Sequence, residues 1–169
     1  MLSKKIEAAL NDQIAKEAYA SSSYLSMASW CETKGLRGCA GFFHAQSEEE
    51  RVHMLKLVKY VNEAGGHALI GAVSEPLAHY KSIHHLFEVS LGQEQDVTKS
   101  INTLVEMAFT AKDYATFNFL QWYVAEQHEE ENLFTSILNI LELAGKDNKS
   151  LIIVDNEIAR LKSEAEKES

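Results

Sequence analysis

AQSEEERVHM, residues Ala45 to Met54, sets three consecutive glutamates, an arginine and a histidine inside a long helical pattern. Taken alone, Glu50 and His53 at i, i+3 are an ordinary pair on a solvated helix face. Steps of four and three through the surrounding segment say otherwise. They give Cys39, Phe43, Gln46, Glu50, His53, Leu57, Tyr60 and Ala64, an apolar stripe that a carboxylate and an imidazole interrupt halfway along.

The stop signals divide the rest of the chain into similar segments. Ser3 can cap a first helix that runs to about Thr33 and ends at Lys34-Gly35. The second runs from about Gly38 to Ala64 and stops at Gly65-Gly66. An 18-residue connection, Gly65 to Ser82, holds the only proline, Pro76, and is long for a compact domain. A third helix is predicted over Ile83–Ala111, and Asp113 can cap a fourth over Tyr114–Ala144. The run Gly145 to Asn148 breaks the pattern, Leu151–Leu161 makes a short fifth helix, and the charged residues 162–169 read as a frayed tail. Residues 1–161 thus form one all-α domain, a four-helix bundle with a long crossover between its second and third helices.

The other three long helices carry stripes of the same kind. They read Ile6, Leu10, Gln13, Glu17, Ala20, Tyr24, Met27, Cys31 in the first and Ile83, Phe87, Ser90, Glu94, Val97, Ile101, Leu104, Ala108 in the third. The fourth reads Thr116, Leu120, Tyr123, Gln127, Glu130, Phe134, Ile137, Leu141, Ala144. Each carboxylate interruption begins about 11 residues into its stripe, a rise of about 16 Å along a helix of roughly 40 Å. All four interruptions therefore fall in one layer. The spacing also repeats, with 33 residues from Glu17 to Glu50 and 33 from Glu94 to Gln127. One helical hairpin is present twice, and an 18-residue crossover, reaching about 59 Å when extended, is long enough to join the two copies.

Such a layer cannot stand without compensation. Facing carboxylates in an apolar bundle cost several kcal/mol each to desolvate, and like charges raise each other's pKa until protons or cations relieve them. Two divalent cations would balance Glu17, Glu50, Glu94 and Glu130, with His53 offering a nitrogen and Gln127 an amide. Carboxylate oxygen with sparse imidazole suits iron or manganese better than copper or zinc. A bundle whose buried carboxylates are merely paired with cations is the competing reading, but no stripe position is Lys or Arg. Glu49, Glu126 and Glu129 each lie one residue off a stripe, so they either face solvent or form a weaker third cation site. Tyr24 stands two turns beyond Glu17 on the same face, placed to hydrogen-bond a ligand, to donate an electron, or only to pack. Trp122 reads as packing, and the remaining histidines share no spacing with the layer.

Composition narrows the partners. A net charge of −9 repels phosphate backbones and anionic membranes, so neither nucleic acid nor membrane is an expected partner. No apolar run reaches 18 residues and the first turns are charged, which leads us to expect a soluble, cytoplasmic protein. Cys31 and Cys39 match no disulfide or zinc framework and read as reduced thiols in or near the core.

With these residues in view, the chain resembles the bacterial non-haem ferritins across essentially its whole length. The most specific stretches are EEERVHM around Glu50 and His53, FNFLQWYVAEQHEEE from Phe117 to Glu131, and KEAYASSSY with Glu17 and Tyr24. Ferritin-like di-iron carboxylate proteins are themselves the type example of this ligand pattern among helix bundles. The resemblance implies that Glu17, Glu50 and His53 hold one iron, that Glu50 bridges to a second held by Glu94 and Glu130, and that Gln127 supports the second from its edge. It also implies a third iron site from Glu49, Glu126 and Glu129 with Glu130. Arg51 and Gln127 stand where a bacterioferritin would carry its haem methionine and a second Glu-x-x-His, so haem is not expected. By the same resemblance Fe(II) is oxidised by O2 or peroxide and stored as a ferric mineral in a hollow shell of about 24 identical subunits. A non-storage di-iron oxidase or peroxidase of the same bundle type is the alternative; the fifth helix, used by ferritin shells at their fourfold contacts, favours storage.

Overall fold

Five helices follow one another in the computed structural model, which describes the backbone of residues 2–145 and 148–168 and the side chains of residues 2–145 and 150–161. They are α1 (Lys4–Thr33), α2 (Arg37–Glu63), α3 (Ile83–Thr110), α4 (Tyr114–Ala144) and α5 (Asn148–Glu168). The two caps foreseen in the sequence, Ser3 and Asp113, are in place, and Ser82 is a third that the spacing had not singled out. Ser3, Ser82 and Asp113 each accept from a backbone N–H three residues on, at Ile6, His85 and Thr116. Gly35 and Gly65 supply the left-handed turns that end the first two helices, with φ of 75° and 81°. Lys112 takes the same region at φ 56° between α3 and α4, a role its side chain did not advertise.

The helix pairs α1–α2 and α3–α4 form two hairpins. Their seams match the stripes: every stripe residue is buried except Tyr60, Ala64 and Ala144, which lie partly exposed at helix ends. Tight packing in the first hairpin follows from small residues. Ser21 and Ser47 donate their hydroxyls to each other's backbone carbonyl, each at 2.8 Å, which brings α1 and α2 together. The apolar core forms two clusters. One holds Tyr24, Met27, Phe42, Phe43, Phe87 and Phe134; the other holds Ile6, Leu10, Leu57, Ile101, Leu120 and Tyr123. In sequence, the carboxylates of every long helix fall between the two.

The crossover lies along α1. Asn11 donates to the His67 carbonyl at 3.0 Å and accepts from the Leu69 N–H at 2.7 Å, while Ser26 donates to the Leu77 carbonyl at 2.7 Å. Those two anchors are 15 residues apart on α1, about 22 Å, so the connection spans much of the bundle's length.

The fifth helix starts earlier and runs further than the expected Leu151–Leu161, because its polar ends carry no apolar signal. The side chains of residues 162–169, and with them the expectation of a frayed tail, lie outside the described residues. Val154 and Ile158 bury α5 against the core, and a carboxylate fixes it to the start of α2. Helix α2 begins at Leu36 with no side-chain cap of its own, and Asp155 of α5 accepts from the Gly38 and Cys39 N–H groups, each at 2.8 Å. Gly38 is required by that contact, since a Cβ there would sit 1.9 Å from the Asp155 carbonyl oxygen. Cys31 and Cys39 are free and fully buried. Burial pushes the Cys31 thiol up to about 12 and Cys39 higher still, the latter helped by Asp155.

Asp155→Ala is therefore expected to lower the unfolding free energy by about 1.5–3 kcal/mol, the worth of hydrogen bonds to a charged acceptor, as read by urea denaturation. Asp155→Asn, which keeps one acceptor oxygen, should lose less. Both thiols should resist iodoacetamide at pH 8 in the native protein and react fully in urea, as counted by mass spectrometry.

Candidate metal centre

Glu17 and Tyr24 face inward from α1, Glu50 and His53 from α2, Glu94 from α3, Gln127 and Glu130 from α4. All seven are buried. The Glu17, Glu50 and His53 ligand atoms lie within 4.8 Å of one another, and His53 Nδ1 stands 3.3 Å from Glu50 Oε2. Tyr123 donates to the His53 carbonyl at 2.7 Å, which braces α2 against α4 at this height. Polar side chains that interrupt the seam hold the carboxylates. Gln13 Nε2 donates to Glu17 Oε1 at 2.8 Å, Gln46 Nε2 to Glu130 Oε2 at 2.7 Å, and Gln127 Nε2 to Glu94 Oε2 at 3.0 Å. The Tyr24 hydroxyl donates to the other oxygen of Glu94. Its ring is clasped between Phe43 and Phe134, both stacked at 5.8 Å.

Burial sets the electrostatics. It raises the Glu17 carboxyl against the bonds from Glu50 and Gln13, and raises Glu50 well above the usual range, with Glu94 and Glu17 adding repulsion. Glu94 is pushed up to about 7 by burial, opposed by the Tyr24 and Gln127 bonds. Tyr24 is raised far above an ordinary phenol by burial and by the charges of Glu94 and Glu50. The buried Oε2 of Glu17 has no hydrogen-bond partner among the described residues. A cluster of this kind, short of positive charge and with an oxygen left over, is suited to a divalent cation.

The ferritin-like domain family matches residues 7–144. The chain belongs to the ferritin family. It is 47% identical over 161 residues to the bacterial non-heme ferritin of Campylobacter jejuni, covering 95% of this chain and 96% of that one. Identity to the Escherichia coli bacterial non-heme ferritin is 42% over 161 residues, covering 95% and 98%. Among solved structures, an open pore ferritin from the archaeon Archaeoglobus fulgidus superposes with a TM-score of 0.92 at 43% identity, covering 94% of this chain and 98% of the other.

Within this ferritin chain the expected residues divide into three groups. Glu17, Glu50 and His53 converge directly. Glu94 and Glu130 share their layer, close enough that both raise Glu50 by charge, and Gln127 stands against Glu94 as a donor, reaching its backbone carbonyl as well at 3.2 Å. The third-site residues are less uniform. Glu49 and Glu126, both half-buried, come within 4.8 Å of His53, whereas Glu129 is exposed and joins neither group found among the described residues. Sequence reasoning assigned no role to Gln13 and Gln46, although both stood on the stripes one turn before Glu17 and Glu50. Trp122 packs its edge on His53 at 5.1 Å and carries the Lys56 ammonium 3.3 Å above its ring. Of the other histidines, His44 lies beside Glu32 at 3.0 Å and His84 beside Glu88 at 3.4 Å.

A raised carboxyl is worth most to the fold when protonated. The contribution of Glu94 is complete below its unfolded value near 4.5 and is lost as pH rises through about 7. Glu94→Gln should therefore leave cation-free stability unchanged at pH 4.5 and raise it at pH 8 relative to the parent, as read by thermal unfolding in chelator. A divalent cation should stabilise the parent at pH 8 and do so less in the variant.

Proposed function

We propose that this chain is an iron-storage subunit with ferroxidase activity, and that Fe(II) is its substrate. The observation that carries the reading is the convergence of Glu17, Glu50 and His53 beside Glu94 and Glu130 in one buried, cation-poor layer. Two Fe(II) would be held there, the first by Glu17, Glu50 and His53, the second by Glu94 and Glu130, with Glu50 between them and Gln127 at the edge. Oxidation gives up one electron per iron, and the pair reduces O2 to H2O2 or H2O2 to water. The protein's part is to keep both ions at bridging distance with carboxylates that can change denticity as charge and radius change. Tyr24, bonded to Glu94, orients that ligand and lies within reach as an electron donor. Glu49 and Glu126, with Glu129 and Glu130, would take a third iron on its way to the mineral.

The surface supports assembly with identical copies. Leu69, Ile70, Val73 and Leu77 of the crossover are largely exposed, as are Leu25, Val52 and Leu55 on the adjoining helices, apolar side chains that contact with an identical copy would cover. Among the described residues no helix is long and apolar enough to cross a membrane. We place the protein in the cytoplasm as a homo-oligomeric shell of about 24 copies of 18.9 kDa.

Aerobic Fe(II) added to the iron-free protein should be oxidised in a fast phase of about two to three irons per chain, followed at 310 nm. Glu17→Ala and Glu130→Ala should each slow that phase by about 10- to 100-fold; normal rates in both would overturn the assignment. In gel filtration after loading, hundreds of irons should co-elute with a particle near 450 kDa, built from about 24 chains. A monomer or dimer that oxidises iron without retaining it would point to an oxidase instead.

A further inference from the structure

Three buried glutamines serve the carboxylate layer, and only Gln127 lies in the expected ligand set. Gln13 and Gln46 are each fully buried, with 0% exposure. A neutral amide is costly to bury unless its bonds serve a purpose, and the one oxygen of Gln13 has no partner among the described residues. What the two share is the donor. Gln13 holds Oε1 of Glu17, four residues on along α1, at 2.8 Å. Gln46 stands at the same spacing before Glu50 on α2, but its donor bond runs elsewhere. It reaches across to α4 and holds Oε2 of Glu130 at 2.7 Å. One amide thus serves a carboxylate of the first cation position, and the other serves a carboxylate of the second.

Fixing one oxygen of a glutamate stops its carboxylate rotating about the last bond, and so fixes the direction in which the other oxygen points. For Glu17 that other oxygen is the unpartnered Oε2. For Glu130 the choice of direction matters more. Glu126 lies four residues back on the same helix, on the same face, and with Glu49 forms the second acidic group beside His53. A Glu130 able to turn could serve either group.

We propose that Gln13 and Gln46 are positioning residues, one for each cation position, Gln13 fixing the direction of the free oxygen of Glu17 and Gln46 that of Glu130. The proposal rests on the dinuclear reading given above. Like the bond from Tyr24 to Glu94, the bond from Gln46 makes the second hairpin's ligand geometry depend on the first hairpin.

The test is a Co(II) titration of the assembled, iron-free protein by calorimetry and visible absorption, with binding steps assigned through Glu17→Ala and Glu130→Ala. Gln46→Met, similar in volume but without a donor, should weaken only the step that Glu130→Ala removes, by about tenfold. Gln13→Met should weaken only the step that Glu17→Ala removes, and each variant should leave the other step within about twofold. If either methionine variant fails to fold, the Asn variant, which draws the amide back by one methylene, replaces it with the same selective pattern expected. Equal weakening of both steps, a crossed pattern, or no weakening in folded variants overturns the inference while the dinuclear reading stands. A parent that binds fewer than two Co(II) per chain overturns the dinuclear reading, and the inference with it.

Discussion

A carboxylate moved from water into an apolar bundle must find replacements for its lost solvent, and four of them in a single layer place that demand on every long helix of this protein. The response is distributed. Each of Glu17, Glu94 and Glu130 receives an amide N–H from a buried glutamine, and Glu94 receives a phenol as well. These neutral donors ease the burial without supplying positive charge. The layer thus stays electrostatically short of cations, as the elevated Glu50 and Glu94 show, and a binding site follows from that deficit.

The rest of the fold keeps the layer dry and in register. The two apolar clusters are built from the same stripes that carry the ligands, so a shift of one helix along another would misalign core and site together. Tyr24 shows how closely the two are joined. Its ring belongs to the aromatic cluster of Phe43 and Phe134, while its hydroxyl belongs to Glu94. At the start of α2, the Asp155 cap ties the fifth helix to the bundle through backbone donors that α2 could not satisfy alone.

How much of this was legible in the sequence depended on periodicity. Two helix starts were marked by Ser3 and Asp113, whose side chains act locally, and the seams were marked by spacing, which burial later follows almost residue for residue. The convergence of Glu17, Glu50 and His53 could be inferred because equal heights on neighbouring helices leave few other arrangements. What spacing does not encode is direction across the bundle. Gln46 sits one turn before Glu50 and yet serves Glu130, a choice made by side-chain rotation in three dimensions. Glu129, one residue off the stripe, points to solvent, one of the two placements that spacing left open. The reach of α5 was missed at both ends because its polar turns lack the apolar beat that marks a helix.

The crossover has a consequence for how the site comes into being. Two hairpins on separate chains would have to find each other at cellular concentration before Glu94 and Glu130 could meet Glu17 and Glu50. Joined by an 18-residue tether, they meet at an effective concentration on the millimolar scale. Because Asn11 and Ser26 pin that tether along α1, it acts as a fitted strap rather than a slack leash. The ordering of the two halves is then completed during folding, and an arriving ion meets ligands already gathered, with little further entropy to lose.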